Sequence, residues 1–298
     1  MKLSDWMSGI RDDVKLIDVV MPGSHNSGTR GMMAMACCQD GSLAEQFRYG
    51  VRQFSVRLDT NRITKKIVFS HSCIRGVTLE EELSELKKVM DENPSEFSII
   101  DIRPYGNDSI GPFKFRCYAD TQEIDRLLEK YLEPSKYALT DFEKISDVTM
   151  GDIRKAGKRY LLLNEEREYK YSVCCDYKNP WSSERHGRRA ETFAERATEV
   201  YDSEEKKGIF VLQTQQTAGP GTEVGLDSPR RQVKKMIPFY PRIIEKIRKN
   251  PKYLEMANVI SSDFMSGDDF RAKLIISLNI DKHNVKEEMA EEFAELVK

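Results

Sequence analysis

The sequence predicts an α/β fold: a single (β/α) barrel of the TIM type, irregular or incompletely closed, occupying residues 1–298 as one domain. Three observations carry this. Short apolar, β-rich runs alternate with helical patterns, the order that builds a parallel sheet with right-handed crossovers. About seven such runs fall within a length that suits one barrel. Gly and Pro are spread as punctuation, with no long linker, repeat or low-complexity block to divide the chain.

The predicted strands are Leu16 to Met21, Val51 to Leu58, Ile67 to His71, Phe97 to Arg103, Tyr160 to Leu163, Ile209 to Thr214 and Val259 to Ser262. Each is a short apolar run bounded by turn residues, the pattern of a strand buried on both faces. Between the third and fourth, Thr78-Leu-Glu-Glu81 is a capping box opening a helix whose Leu79, Leu83, Leu86 and Met90 recur at helical spacing and which ends near Pro94. Further helices are predicted at about 120–132, 189–204, 239–249 and 284–297. In such a barrel, functional residues sit just beyond strand C-termini, where the βα loops gather.

Composition narrows the function. The chain is 39% hydrophobic and 32% charged, which excludes wholesale disorder, and its net charge of −2 argues against a dedicated nucleic-acid binder. No apolar run reaches the roughly 18 residues of a membrane span, and the opening MKLSDWMSGIRDD lacks the features of a secretory signal. The six cysteines, Cys37, Cys38, Cys73, Cys117, Cys174 and Cys175, show no C-x-x-C spacing, so a reduced compartment is expected. The chain as it stands would be cytoplasmic or peripheral to a membrane, and secreted if a leader has been removed.

The chemistry-bearing residues cluster at predicted strand ends. Met21-Pro-Gly-Ser-His-Asn-Ser-Gly-Thr29 sets His25 and Asn26 in a turn of small residues that a substrate can approach closely. The second strand ends at Arg57, the third at His71, and the fourth adds Asp101 and Arg103. Two imidazoles around a guanidinium can supply a base, an acid and a phosphate clamp. A lone strand-end His is more often a satisfied structural residue, but convergence of His, Arg and His on one rim favours function.

Four segments together resemble a known family: Pro22-Gly-Ser-His-Asn-Ser; Leu43-Ala-Glu-Gln-Phe-Arg-Tyr-Gly-Val-Arg52 leading into Phe-Ser-Val-Arg57; Ile67-Val-Phe-Ser-His71; and Asn93-Pro-Ser-Glu-Phe-Ser-Ile-Ile-Asp-Ile-Arg103. In this order they resemble the catalytic X-type domain of phosphatidylinositol-specific phospholipases C, bacterial and metal-independent, and related glycosylphosphatidylinositol-cleaving enzymes. The match covers about residues 14–105; beyond it only Leu161-Leu-Leu, Pro180-Trp181, Phe210-Val-Leu-Gln-Thr-Gln215 and Val259-Ile-Ser-Ser-Asp263 follow loosely. The resemblance implies intramolecular phosphoryl transfer, in which the inositol 2-hydroxyl attacks the phosphorus, expels diacylglycerol and leaves a 1,2-cyclic phosphate. It assigns His25 as base, His71 as acid, Arg57 as cation on the phosphate and Asp263 as the carboxylate orienting the base. Arg103, Trp181 and Gln213, with Gln215 beside it, are the expected substrate-binding residues.

The resemblance also bears on metals. Larger relatives hold calcium with an Asn and three carboxylates, whereas the matching positions here look like Asn26, Ser55, Arg57 and Arg103, so neither metal nor cofactor is expected. Bacterial members place Asp directly after the first His; this chain has Asn26, which orients an imidazole without stabilising its charge. Asp59 or Asp101 would then be a substitute beside His71. A metal-dependent glycerophosphodiesterase or sphingomyelinase D-like enzyme is one alternative, and a catalytically silent inositide-binding module, motivated by Asn26, is another. The expected partner is a phospholipid at a membrane surface, with no nucleic acid and a monomeric chain. Met32 to Cys38 is expected to be largely buried, and the basic segment Arg230 to Lys235, with Arg242, Lys246, Arg248 and Lys249, to be a solvated helix face. His186 and His283 receive no role.

Overall fold

The computed structural model describes residues 1–103, 107–110, 113–116, 118–180, 189–216, 227–267 and 269–297. Its strands are β1 (Met21–Ser24), β2 (Gln53–Val56), β3 (Leu58–Thr60), β4 (Ile67–His71), β5 (Ile74–Thr78), β6 (Ser98–Ile102), β7 (Asn107–Ile110), β8 (Phe113–Arg116), β9 (Tyr160–Leu163), β10 (Tyr177–Lys178), β11 (Ile209–Gln213) and β12 (Val259–Ser262). Seven of them form one parallel sheet in the order β10-β11-β12-β1-β2-β6-β9. Among the described residues no ladder joins β9 to β10; beyond its pairing with β6, β9 makes only isolated bridges, from Tyr160 to Ala138 and from Leu163 to Val173, neither of which lies in β10. The barrel is therefore incompletely closed, as the sequence predicts.

Side chains alternate faces along each strand. Met21, Ile99, Leu161, Val211 and Val259 point into the barrel and share an apolar cluster with Trp6 and Met7 of the N-terminal segment and with Phe97 at the foot of β6. Their neighbours Phe54, Ile100, Leu162, Phe210, Leu212 and Ile260 face outward against helices, among them Leu83 and Leu86 of the Leu79–Glu92 helix and Ile243 and Ile247 of the Tyr240–Lys249 helix. Continuing the inward register upward gives Arg57, Asp101, Gln213, Ser261 and Asp263. The barrel is thus apolar at its base and polar at the C-terminal ends of its strands. Gly23 has no room for a side chain, because an added Cβ would lie 2.6 Å from Gln53 Oε1 and 2.7 Å from Val259 Cγ1.

Three predicted strands need correction. Leu16 to Met21 forms a short 3-10 turn at Leu16–Asp18, and β1 begins only at Met21. Side chains claim that backbone: Asn258 Nδ2 donates to the carbonyls of Leu16 (3.1 Å) and Val19 (2.8 Å), and Asn279 brackets Val20 through both its N–H and its C=O. Val51 to Leu58 is interrupted at Arg57, where the Val56 carbonyl accepts from Arg103 N–H while the Arg57 carbonyl accepts from Ser70 N–H. The chain leaves the barrel there, and β3, β4 and β5 form a separate antiparallel sheet. Ile67 to His71 is thus a strand as expected, but a hairpin strand outside the barrel.

The helix at Leu79–Glu92 carries the predicted capping box between Thr78 and Glu81, and Thr121–Leu132 and Tyr240–Lys249 match their expected spans. The segment 189–204 holds only Ala190–Arg196 and a 3-10 turn at Glu199–Asp202; within 284–297 the α-helical part is Ala290–Ala294. The Phe270–Asp281 helix escapes sequence reading because Ala272, Ile275, Ile276, Leu278 and Asn279 are all buried, leaving no polar face to set a period. The stretch beginning at Arg230 lies in a helix, Pro229–Met236, that buries Val233 and Met236 and turns Arg230 outward. No helix among the described residues is long and apolar enough to cross a membrane.

One buried ion pair anchors the base of the barrel. Arg52 and Glu96 are both essentially inaccessible, and Arg52 Nε donates to Glu96 Oε2 at 2.7 Å. The remaining guanidinium hydrogens reach the carbonyls of Phe47 (2.8 Å), Val51 (2.8 Å) and Ser4 (2.9 Å), and Glu96 Oε1 accepts from Met7 N–H (2.9 Å).

Candidate active site

His25 follows β1 directly, with its N–H bonded to the Ser262 carbonyl at the end of β12. Its Nδ1 lies 2.8 Å from Asp263 Oδ1; His25 is 17% exposed at the side chain and Asp263 only 3%. A carboxylate can only accept, so Nδ1 carries a hydrogen, which in the neutral ring leaves the lone pair on Nε2. Asp263 is held by its own neighbours: Arg271, buried in the Phe270–Asp281 helix, donates to the Asp263 carbonyl and to Ser262 Oγ, both at 2.9 Å.

Asn26 adopts a left-handed backbone, φ 46°, which Asn tolerates better than most residues. This reversal turns its buried carboxamide toward the hairpin, where Nδ2 stands 3.5 Å from His71 Nε2, the outer limit of hydrogen bonding, and 3.7 Å from Cys38 Sγ. His71 Nδ1 donates to the Ala36 carbonyl at 2.8 Å. The hairpin reaches the barrel because the Phe69 ring of β4 packs directly on Gly28, where a Cβ would lie 1.8 Å from it. A strand outside the barrel thereby delivers its terminal His to the same rim.

The loop carrying Cys38 is stitched into this frame. Thr29 Oγ1 accepts from the N–H groups of Cys38 (2.9 Å) and Gln39 (3.1 Å), and Phe264 N–H bonds the Cys38 carbonyl (2.7 Å). Gln39 Nε2 reaches the carbonyls of His25 (2.9 Å) and Ser262 (3.1 Å). Of the Met32 to Cys38 stretch, Met32, Ala36 and Cys38 are buried, Met35 and Cys37 are half-buried and Met33 and Ala34 are exposed, so the stretch is less buried than expected.

Burial pushes the His71 imidazole below its ordinary range; the Ala36 hydrogen bond opposes this, and the nearby charges of His25 and Arg57 add to it. Burial likewise drives the Cys38 thiol well up, reinforced by Asp263. Arg57 thus lies within electrostatic reach of both His71 and Cys38.

Arg103 and Gln213 stand in a second network beside the first. Arg103 Nε contacts Asp101 Oδ2 at 2.9 Å, Tyr177 Oη donates to the same oxygen at 2.6 Å, and Asn179 links Tyr177 (3.0 Å) to Gln213, whose Oε1 accepts from Gln215 (2.7 Å). Neither proposed substitute carboxylate serves His71. Asp101 is taken by Arg103 and Tyr177, and Asp59 by Arg75 (2.8 Å) and Tyr118 N–H (3.1 Å). The ring is oriented by the Ala36 carbonyl instead. Trp181 and His186 lie outside the described residues.

Sequence reasoning missed Gln39, Arg271, Tyr177 and Asn179. Gln39 and Arg271 act through backbone carbonyls, which no residue pattern reveals; Tyr177 sits on a two-residue strand too short to show a period.

Because His71 is held low by burial and has only an amide beside Nε2, replacing Asn26 with Asp is expected to raise its pKa. A reaction that uses His71 as an acid needs it protonated, so activity falls as pH rises through that pKa. The alkaline limb of a kcat/KM profile should therefore move to higher pH in Asn26→Asp; an unmoved limb would show that Asn26 does not face the titrating group.

No family model matches the chain. Among solved structures it is similar to the phosphatidylinositol-specific phospholipase C from Listeria monocytogenes, with a TM-score of 0.65 and 17% identity, over 94% of this chain and 99% of that one. A variant of the phosphatidylinositol-specific phospholipase C from Staphylococcus aureus gives a TM-score of 0.66 and 16% identity, over 92% and 96% of the two chains. With its seam-open parallel barrel and near-complete coverage in both directions, the chain has the fold of the bacterial phosphatidylinositol-specific phospholipases C.

Proposed function

We propose that this chain is a phosphatidylinositol-cleaving phosphorus–oxygen lyase that works without a metal. The observation that carries the reading is the 2.8 Å contact between His25 Nδ1 and Asp263 Oδ1, with His71 beside Asn26 and Arg57 in electrostatic reach. His25 Nε2 takes the proton of the inositol 2-hydroxyl as its oxygen attacks phosphorus, and Asp263 stabilises the imidazolium without itself taking the proton. Arg57 neutralises the nonbridging oxygens as charge builds on them. His71, protonated on Nε2, gives that proton to the departing glycerol oxygen. The products are diacylglycerol and inositol 1,2-cyclic phosphate. Holding nucleophile and phosphorus in one bound ring supplies much of the rate through proximity.

Asn26 suits a residue that changes protonation state. Its Nδ2 donates to neutral His71, and a half-turn of the carboxamide presents Oδ1 to the imidazolium N–H. Arg103, Gln213 and Trp181 are the proposed headgroup contacts, glycosylated or not. Arg57→Ala is expected to lower kcat/KM by about 10²–10³-fold, the loss typical of removing one donor from developing charge. Arg57→Lys should recover only part, because it keeps the charge and loses the planar fork.

The test is incubation with phosphatidylinositol micelles and a chelator, followed by phosphorus magnetic resonance. A five-membered cyclic phosphodiester supports the lyase. Chelator-sensitive turnover would point to a metal-dependent phosphodiesterase, and tight lipid binding without turnover to a silent inositide-binding module.

A further inference from the structure

Cys38 is a buried reactive side chain in this site that the proposed chemistry leaves unused. A ring nitrogen of His25, Cys38 Sγ and a carboxylate oxygen of Asp263 all lie within 4.8 Å of one another. We propose that these three residues form a binding site for a zinc-class divalent cation, and that the occupied site is catalytically silent.

Three features support it. Zinc held at about 2.0–2.3 Å by tetrahedral N, O and S ligands spaces them roughly 3.3–3.8 Å apart, so closure needs about 1 Å of movement. The ligands are already framed: hydrogen bonds from Thr29, Gln39 and Phe264 lock the Cys38 segment to those bearing His25 and Asp263. Asn26, 3% exposed, lays its carboxamide against Sγ, and its Oδ1 has no hydrogen-bond partner among the described residues. That oxygen or a water completes four-coordination.

The donor set selects the metal. Thiolate and imidazole favour Zn²⁺ or Cd²⁺, while calcium requires six to eight oxygens that this corner lacks. One thiolate and one carboxylate neutralise the dication, so the occupied site carries no net charge of its own. On binding, the S–H bond breaks, the proton leaves to solvent and the Sγ–metal bond forms. His25 either gives the metal its Nε2 lone pair or ligates through Nδ1 with that hydrogen shifting to Nε2; in both cases no ring lone pair is left to act as a base. The binding claim stands on geometry alone; only the silencing rests on the proposed function.

The test uses the full chain without lipid, titrated with Co²⁺ as a spectroscopic stand-in for zinc. A thiolate-to-metal charge-transfer band saturating at one equivalent is expected; it should vanish in Cys38→Ser and persist in Cys73→Ser and Cys174→Ser, which alter exposed cysteines. His25→Gln, which keeps the thiol, should weaken binding by at least about 10-fold, as even outer-shell losses do. No band, or a band that survives in Cys38→Ser, overturns the site. Zn²⁺ should then abolish phosphatidylinositol cleavage in the unaltered chain, with Cys38→Ser, compared with its own metal-free rate, resisting it. Zinc bound through Cys38 with cleavage undiminished overturns the silencing. A chain that binds Co²⁺ through Cys38 but never cleaves lipid refutes the lyase and leaves the metal site standing.

Discussion

Replacing His25 with alanine is expected to lower kcat/KM for phosphatidylinositol cleavage by about 10⁴-fold, the upper end of what a positioned proton acceptor contributes. Removal takes away the base and leaves Asp263 as a buried carboxylate without its 2.8 Å partner. His71→Ala should cost a similar factor through the leaving-group proton. Groups that act as a unit are not additive, so Asp263→Asn added to His25→Ala should change the rate little further. Circular dichroism should show both single variants folded, since neither ring belongs to the apolar base of the barrel. Near-parental turnover in either would remove that residue from the mechanism.

The largest expected stability effect lies at the opposite end of the barrel. Glu96→Gln should destabilise the fold by about 3–5 kcal/mol, because it leaves the inaccessible Arg52 guanidinium with an uncompensated charge. The barrier to relief is geometric: Arg52 already serves the carbonyls of Phe47, Val51 and Ser4 and lies 3.9 Å from the Phe47 ring centroid, so it cannot swing to water without abandoning them. Replacing both members with apolar residues would remove the charge but orphan those carbonyls, so the double variant should remain less stable than the parent. Urea unfolding checks both. A Glu96→Gln midpoint equal to that of the unaltered chain would show that solvent reaches this pair.

Much of the architecture is legible in local pattern. The inward and outward alternation of β2, β6, β11 and β12 follows from a period of two, and it carries Arg57, Asp101 and Asp263 to the polar ends of barrel strands. Errors arose where another group captured the backbone. Asn258 and Asn279 took the hydrogen bonds that would have extended β1 upstream, and Ser70 took the Arg57 carbonyl and drew the chain out of the barrel.

The sequence by itself determined which residue types stand at strand ends, the parallel direction of those strands and the apolar base that supports them. Only the tertiary structure decided who partners whom. His71 arrives through the docking of Phe69 on Gly28 and is oriented by a carbonyl 35 residues away; Arg103 is drawn to Asp101, and Cys38 is set beside Asp263. Strand and helix signals are periodic and local, so they survive in the sequence. Partner choice is a competition among distant donors for a few acceptors, settled by loop paths and packing, and it leaves no period to read.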